Sequence, residues 1–218
     1  GSSWSPLGSG MNDWVNALAV DGSGNLYAGG SFDTAGGVSA NYIAKWDGNS
    51  WSPLGSGLSG GTYYTYASAL AFDGSDNLYA GGDFTIAGDG SGDYIAQWDG
   101  SSWSPLGSGD GVSGAVSALA FDGSGNLYAG GLFTTAGGVS ANYIAKWDGS
   151  TWSPLGGGMN DYVYALAFDG SGNLYAGGSF DTAGGVSANY IAKWDGNSWS
   201  PLGSGLRGGT YYTYASAL

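Results

Sequence analysis

The stretch VNALAVDGSGNLYAGGSFDTAGGVSANYIAKWDGNSWSPL, residues 15–54, contains four short apolar runs, Val15–Val20, Leu26–Gly29, Tyr42–Trp46 and Trp51–Leu54. Asp21-Gly22-Ser23-Gly24-Asn25 joins the first run to the second, and Asp47-Gly48-Asn49-Ser50 joins the third to the fourth. Both links are rich in residues that accept φ > 0 and bond their own backbone, which makes them tight turns between strands. The stretch therefore reads as a meander of four β-strands, designated a, b, c and d. Gly and Ser interrupt the chain too often for an apolar pattern of helical period to survive.

The same text returns along the chain. The anchor Trp-Ser-Pro-Leu-Gly begins at Trp4, Trp51, Trp103, Trp152 and Trp199, at spacings of 47, 52, 49 and 47 residues. Above this lies a period of 148 residues, or three repeats. Residues 1–70 match 149–218 except at Ser3/Thr151, Ser9/Gly157, Trp14/Tyr162, Asn16/Tyr164, Val20/Phe168 and Ser59/Arg207. A repeat of this length holding four antiparallel strands has the size of one β-propeller blade, whereas a β-solenoid needs shorter and more uniform rungs. The expected fold is all-β: residues 1–218 form a single array of four complete blades and a partial fifth. Small residues suit this reading, because Ala17, Ala19, Ala28 and the Gly29-Gly30 pair leave room where blades approach closely. Tyr27, Tyr42, Trp46 and Trp51 are expected to fill the wider space between blades.

Leu26-Tyr27-Ala28-Gly29-Gly30, followed by Tyr42-Ile43-Ala44-Lys45-Trp46-Asp47-Gly48 and Trp51, resembles the kelch type of propeller repeat, with its double glycine after strand b and paired aromatics about the c–d turn. The Asp21–Asn25 turn is similar to that of other bacterial extracellular propeller repeats. The resemblance spans all repeats and implies the fold. Propellers serve as enzymes, lectins, scaffolds and adhesion modules, so it does not by itself choose a function.

Composition narrows the choice. There is no His and no Cys, which removes the usual general base, the thiol nucleophile and the common zinc ligands. All 17 acidic residues are Asp, the acid that makes turns, so they read as turn chemistry before catalytic pairs. The expectation is a protein that is not an enzyme and carries no cofactor. Four basic residues against a net charge of −13 leave nothing to neutralise a phosphate backbone, which argues against nucleic acid and anionic membrane as partners. No apolar run is long enough to span a bilayer. An acidic chain rich in Gly, Ser, Thr and Tyr suits a secreted or cell-surface location. Asp21–Asn25 presents oxygens at alternating positions, superficially like a calcium loop, but without the distal bidentate acid that such loops require. Asp33-Thr34-Ala35 has the form of a short bacterial O-glycosylation site.

Length variation is confined to one connection. Pro6 to Asp21 takes 16 residues, Pro53 to Asp73 takes 21 and Pro105 to Asp122 takes 18. These d–a connections emerge from a meander on the same side as the b–c connections, opposite the a–b and c–d turns. Variable loops on a constant scaffold are where binding residues gather. The candidate ligand-binding residues are Asn12, Asp13 and Trp14; Tyr63 and Tyr64; Asp110; Asn160, Asp161 and Tyr162; and Tyr211. Aromatic faces beside Asn and Asp suit sugar rings and their hydroxyls. The alternative is that these aromatics open strand a and cap the core.

The chain supplies five a and five d strands but four b and four c strands. A fifth blade would draw strand a from Thr213–Leu218 and strand d from Trp4–Leu7. Gly1-Ser2-Ser3-Trp4 recurs as Gly100-Ser101-Ser102-Trp103, so the start reads as repeat sequence within a longer or processed chain. Two functions follow as expectations. One is an extracellular interaction scaffold that self-associates, or continues in a longer chain, through its incomplete terminal blade. The other is a multivalent lectin-like propeller that binds glycans on the variable side, for which the tachylectins are a fold-level precedent.

Overall fold

The computed structural model describes residues 3–107, 111–207 and 213–218. It divides into two compact units, Gly1–Pro105 and Leu106–Leu218, each carrying two blades. In the first unit, blade 1 comprises β1 (Val15–Val20), β2 (Leu26–Gly30), β3 (Ile43–Trp46) and β4 (Trp51–Pro53). Blade 2 comprises β5 (Tyr66–Phe72), β6 (Leu78–Asp83), β7 (Ile95–Trp98) and β8 (Trp103–Pro105). In the second unit, blade 3 is β9 (Val116–Phe121), β10 (Leu127–Gly131), β11 (Ile144–Trp147) and β12 (Trp152–Pro154). Blade 4 is β13 (Val163–Phe168), β14 (Leu174–Gly178), β15 (Ile191–Trp194) and β16 (Trp199–Pro201). Each blade is an antiparallel sheet whose strands neighbour one another in chain order, the a–b–c–d meander of the sequence. No helix occurs among the described residues.

Small residues line the middle of each sheet. Leu18 stands opposite Ala28, and Ala28 opposite Ala44; both alanines are buried. The space they leave is taken by the next blade. A Cβ placed on Gly29 would lie 2.8 Å from the Ala67 Cβ of β5, and the Tyr27 ring meets Phe72 of the same strand edge-on at 5.0 Å. In the second unit, Gly130 faces Val163, and Tyr128 meets Phe168 at 5.0 Å. Strand a of the later blade thus sits on strand b of the earlier one, and their shared apolar residues form the core.

The second glycine of each pair answers to a different neighbour. Each a–b pairing has a bulge, as between Val15 and Ala17, that pushes the chain toward strand b. A Cβ on Gly30, Gly82, Gly131 or Gly178 would collide with the carbonyl oxygen of Trp14, Tyr66, Ala115 or Tyr162 respectively. One glycine admits the next blade, and the other admits the blade's own bulge.

The anchor motif links successive repeats. The indole N–H of Trp51 donates to the carbonyl of Leu7 at 2.9 Å, that of Trp103 to Leu54 at 3.0 Å, and that of Trp199 to Leu155 at 3.0 Å. Trp46 and Trp51 pack together within one blade at 5.4 Å, and the equivalent Trp98 and Trp103 of blade 2 lie against Gly55 at the end of blade 1, so the tryptophans, like Tyr27, work between blades.

The b–c connection holds more order than its loop-like sequence suggests. Thr34–Ala35 pairs with Val38–Ser39 across Gly36-Gly37, whose φ values of 59° and 84° suit a two-residue hairpin turn. Phe32, Phe84, Phe133 and Phe180 lead into these hairpins and are among the largest fully buried side chains. Each d–a connection begins by pairing with the hairpin of the blade it enters: Met11 with Ala35, Leu58 with Ala87, Val112 with Ala136 and Met159 with Ala183. The two connections therefore lie on one side, as the meander requires.

The segments expected to begin and end a fifth blade are not strands. Thr213–Leu218 nevertheless takes the position of a strand a. Ala215 N–H donates to the Gly178 carbonyl at 3.2 Å, and its Cβ lies against Gly177 as Ala67 lies against Gly29. Trp4 is fully exposed, whereas the Leu7 carbonyl of the same segment already holds Trp51.

Candidate binding cleft

Asn12 is a clamp. Its Nδ2 donates to Asp33 Oδ1 at 2.8 Å, while its Oδ1 accepts the backbone N–H groups of Asp33 and Thr34 at 3.2 and 3.0 Å. Asn160 repeats this arrangement with Asp181 and Thr182, and Ser113 holds Thr134 and Thr135 with its hydroxyl. Through these bonds Asn12 and Asn160, both expected as ligand-binding residues, fasten the d–a connection onto the b–c hairpin. Asp13 Oδ1 accepts the Trp14 N–H at 2.7 Å, and Asp161 does the same for Tyr162. These carboxylates orient the aromatic residue that follows.

Trp14 projects from this fastened loop and is 76% exposed. Ser31 N–H donates to its carbonyl at 2.9 Å, which fixes its backbone against the end of β2. Across from it, the longer d–a connection of blade 2 presents Tyr63 and Tyr64, 87% and 81% exposed. That loop is also tied down. Gly61 N–H donates to Thr65 Oγ1 at 3.0 Å, and Thr62 N–H to Asp83 Oδ1 at 2.9 Å. Asp83 is buried, and burial together with its negative charge raises the pKa of the Tyr66 hydroxyl.

Asp13, Trp14, Tyr63 and Tyr64 thereby come together, joined by Ser31, Tyr42, Thr65 and Tyr66, around a cleft of about 620 Å³ within the first unit. Tyr42 was expected only as a filler between blades. It reaches the cleft because Asn41 and Tyr42 take φ values of 42° and 74°, turning the chain just before β3. That backbone is rare for a tyrosine, and it is held by hydrogen bonds from Tyr42 N–H to Phe32 O at 2.8 Å and from Gly30 N–H to Tyr42 O at 3.0 Å. The sequence signal was the Asn before Tyr42, since Asn tolerates this region best after Gly.

In the second unit, Tyr162 replaces Trp14 and is 38% exposed. Its ring packs edge-on against Tyr143 at 5.7 Å and Tyr164 at 6.3 Å, and Tyr164 packs against Tyr214 at 5.8 Å. Asp110 and Tyr211 lie outside the described residues.

The turn aspartates on the opposite side are engaged by the protein itself. Asp21 Oδ1 accepts the N–H groups of Ser23 and Asn25 at 3.0 and 2.8 Å, and its Oδ2 accepts Asn25 Nδ2 at 2.7 Å. The calcium-loop likeness is accounted for by this side-chain closure of the turn.

The family model of the Rax2 C-terminal beta propeller domain matches residues 3–161. Among solved structures, the extracellular domain of a one-component-system protein from B. thetaiotaomicron is 14% identical, covering 86% of this chain and 22% of that one, with a TM-score of 0.56. PorZ, a surface component of the type-IX secretion system of Porphyromonas gingivalis, is 15% identical over 82% of this chain and 24% of its own, with a TM-score of 0.54. An ancestral GH74 enzyme is 17% identical over 92% and 27%, with a TM-score of 0.57. At these identities the likeness is one of fold, and the chain spans about a quarter of each of those proteins. A search of curated proteins finds no match.

Proposed function

Because the chain belongs to the Rax2 C-terminal β-propeller family, we propose that it is a non-catalytic extracellular scaffold that joins a second copy of itself through the open face of blade 1. The observation that carries this reading is the state of β1. Leu18 and Val20 are 61% and 60% exposed, while their counterparts Leu70 and Phe72 pack on the preceding blade's Tyr27 and Gly29, and Leu166 and Phe168 on Tyr128 and Gly130. A contiguous apolar face of this kind marks an interaction site, and its shape is already matched to strand b of a like blade. The scaffold reading draws on the self-satisfied aspartate turns and on the absence of His and Cys. The location draws on composition and on the surface and extracellular descriptions of PorZ and the B. thetaiotaomicron domain. The Leu-Tyr-Ala-Gly-Gly and Trp-Asp-Gly motifs support a kelch-like blade within this scheme.

Sedimentation velocity across a concentration series tests the association. The expected result is a concentration-dependent oligomer that reverts to monomer in the Leu18→Asp, Val20→Asp variant while its circular dichroism is unchanged. A chain that stays monomeric at its highest soluble concentration contradicts the reading.

A further inference from the structure

We propose that the cleft formed by Trp14, Tyr42, Tyr63, Tyr64 and Tyr66 binds a neutral saccharide chain, a function separate from the joining of blade faces. Trp14, Tyr63 and Tyr64 are large, mostly exposed and carried on loops whose backbones are pinned from below by Asn12, Asp13, Thr65 and Asp83. Burial in the core does not explain them, and pinning means that little order is lost when a ligand arrives.

The lining selects the ligand class. Four tyrosines and a tryptophan offer flat apolar faces, and the Asp13 carboxylate with the Ser31 and Thr65 side chains offers hydrogen-bonding groups at the margin. Sugar rings present the same mixture, with C–H faces that stack on aromatic rings and hydroxyls that bond around the edge. Among the described residues no Lys or Arg lines the cleft, and the chain's net charge is −13, so an anionic ligand would meet repulsion. A quaternary ammonium would need rings enclosing it on several sides. These rings instead stand open to solvent, and the cleft of about 620 Å³ falls in the range of pockets that hold small ligands or a short stretch of a chain.

The near-identical second copy differs at the position of Trp14. Residues 1–70 and 149–218 differ at six positions, and two of them, Trp14/Tyr162 and Asn16/Tyr164, fall where this cleft meets β1. In the second copy the tyrosines pack on one another, and the ring at 162 is half as exposed as that at 14. The second copy's counterparts of Tyr63 and Tyr64, Tyr211 and Tyr212, lie outside the described residues, so the described site is the one bearing Trp14.

Isothermal titration with a panel of neutral gluco-, manno- and xylo-oligosaccharides, alongside choline as a cationic probe, tests the proposal. The expected result is binding of at least one oligosaccharide, weakened at least tenfold by Trp14→Ala and by Tyr64→Ala and unchanged by Tyr162→Ala. Because Trp14 and Tyr64 are exposed, both variants should retain the wild-type melting temperature, and Trp14→Phe should restore part of the affinity. The Leu18→Asp, Val20→Asp variant should bind as the wild type does, which separates this site from the association face. Absence of binding across the panel, affinity indifferent to Trp14→Ala and Tyr64→Ala, or tighter binding of choline than of any oligosaccharide would each overturn it.

Discussion

At the scale of the residue, the Gly-Gly pair that ends strand b shows how two like residues meet unlike demands. Gly29 is small because Ala67 and Leu70 of the next blade occupy the place of its side chain. Gly30 is small because the bulge of β1 brings the Trp14 carbonyl into the same position. A backbone oxygen on a pinned loop cannot swing aside as a side chain can, so Gly30→Ala should destabilise the protein by about 1–3 kcal/mol, the usual range for overpacking. Gly74, in the a–b turn of blade 2, has nothing within 4 Å of a built Cβ and has no positive φ. Gly74→Ala should stay within about 0.5 kcal/mol of wild type, as surface substitutions do. Urea denaturation followed by tryptophan fluorescence compares the two; equal losses would show that the bulge contact is not what the second glycine serves.

At the scale of the element, the turns are closed by aspartate. In the c–d turns, Asp47 Oδ1 accepts the N–H groups of Asn49 and Ser50, and Asp99 those of Ser101 and Ser102, all at 2.7–2.8 Å. The backbone N–H of Ser102, then that of Ser101, pull Asp99 down to about 2. In the a–b turns, the side chain and then the backbone of Asn173 draw Asp169 to about 2 as well. Asp47, Asp148 and Asp195 are lowered in the same direction by the backbone of their own turns. A carboxylate whose folded pKa lies below its unfolded value contributes stability above the unfolded value and loses it as pH falls through the folded one. The melting temperature should therefore be level above about pH 5 and drop steadily between about pH 4 and pH 2. A melting temperature that rises across that interval contradicts the assignment of these aspartates to turn closure. Such turns were legible in the sequence, since Asp followed by Gly, Ser and Asn states its own chemistry. The b–c hairpins were less so. Two-residue strands carry no apolar alternation, and what orders Thr34–Ser39 is the burial of Phe32 and pairing with Met11, contacts distant in sequence or hidden in a loop-like composition.

At the scale of the whole molecule, the blade repeat was readable because the spacing, turns and small residues of every copy agree, and agreement across levels is what specifies a fold. The site was readable in part. Trp14, Tyr63 and Tyr64 stood out as aromatics in variable loops, but Tyr42 joins them only through a left-handed backbone, and Asn12 turned out to fasten loops because the partner of its amide, Asp33, lies on another connection. Neither fact has a local signature strong enough to read alone. The association face and the saccharide cleft both rest on one structural relation, that strand a of a blade is seated on strand b of the blade before it. A double-mutant cycle on Tyr27→Ala and Phe72→Ala tests that relation most directly, with Tyr27→Ala and Phe168→Ala as the control pair. Rings meeting edge-on at 5.0 Å should couple by about 1 kcal/mol, whereas the control pair should be additive. Additivity of Tyr27 with Phe72 would contradict the seating of blade on blade.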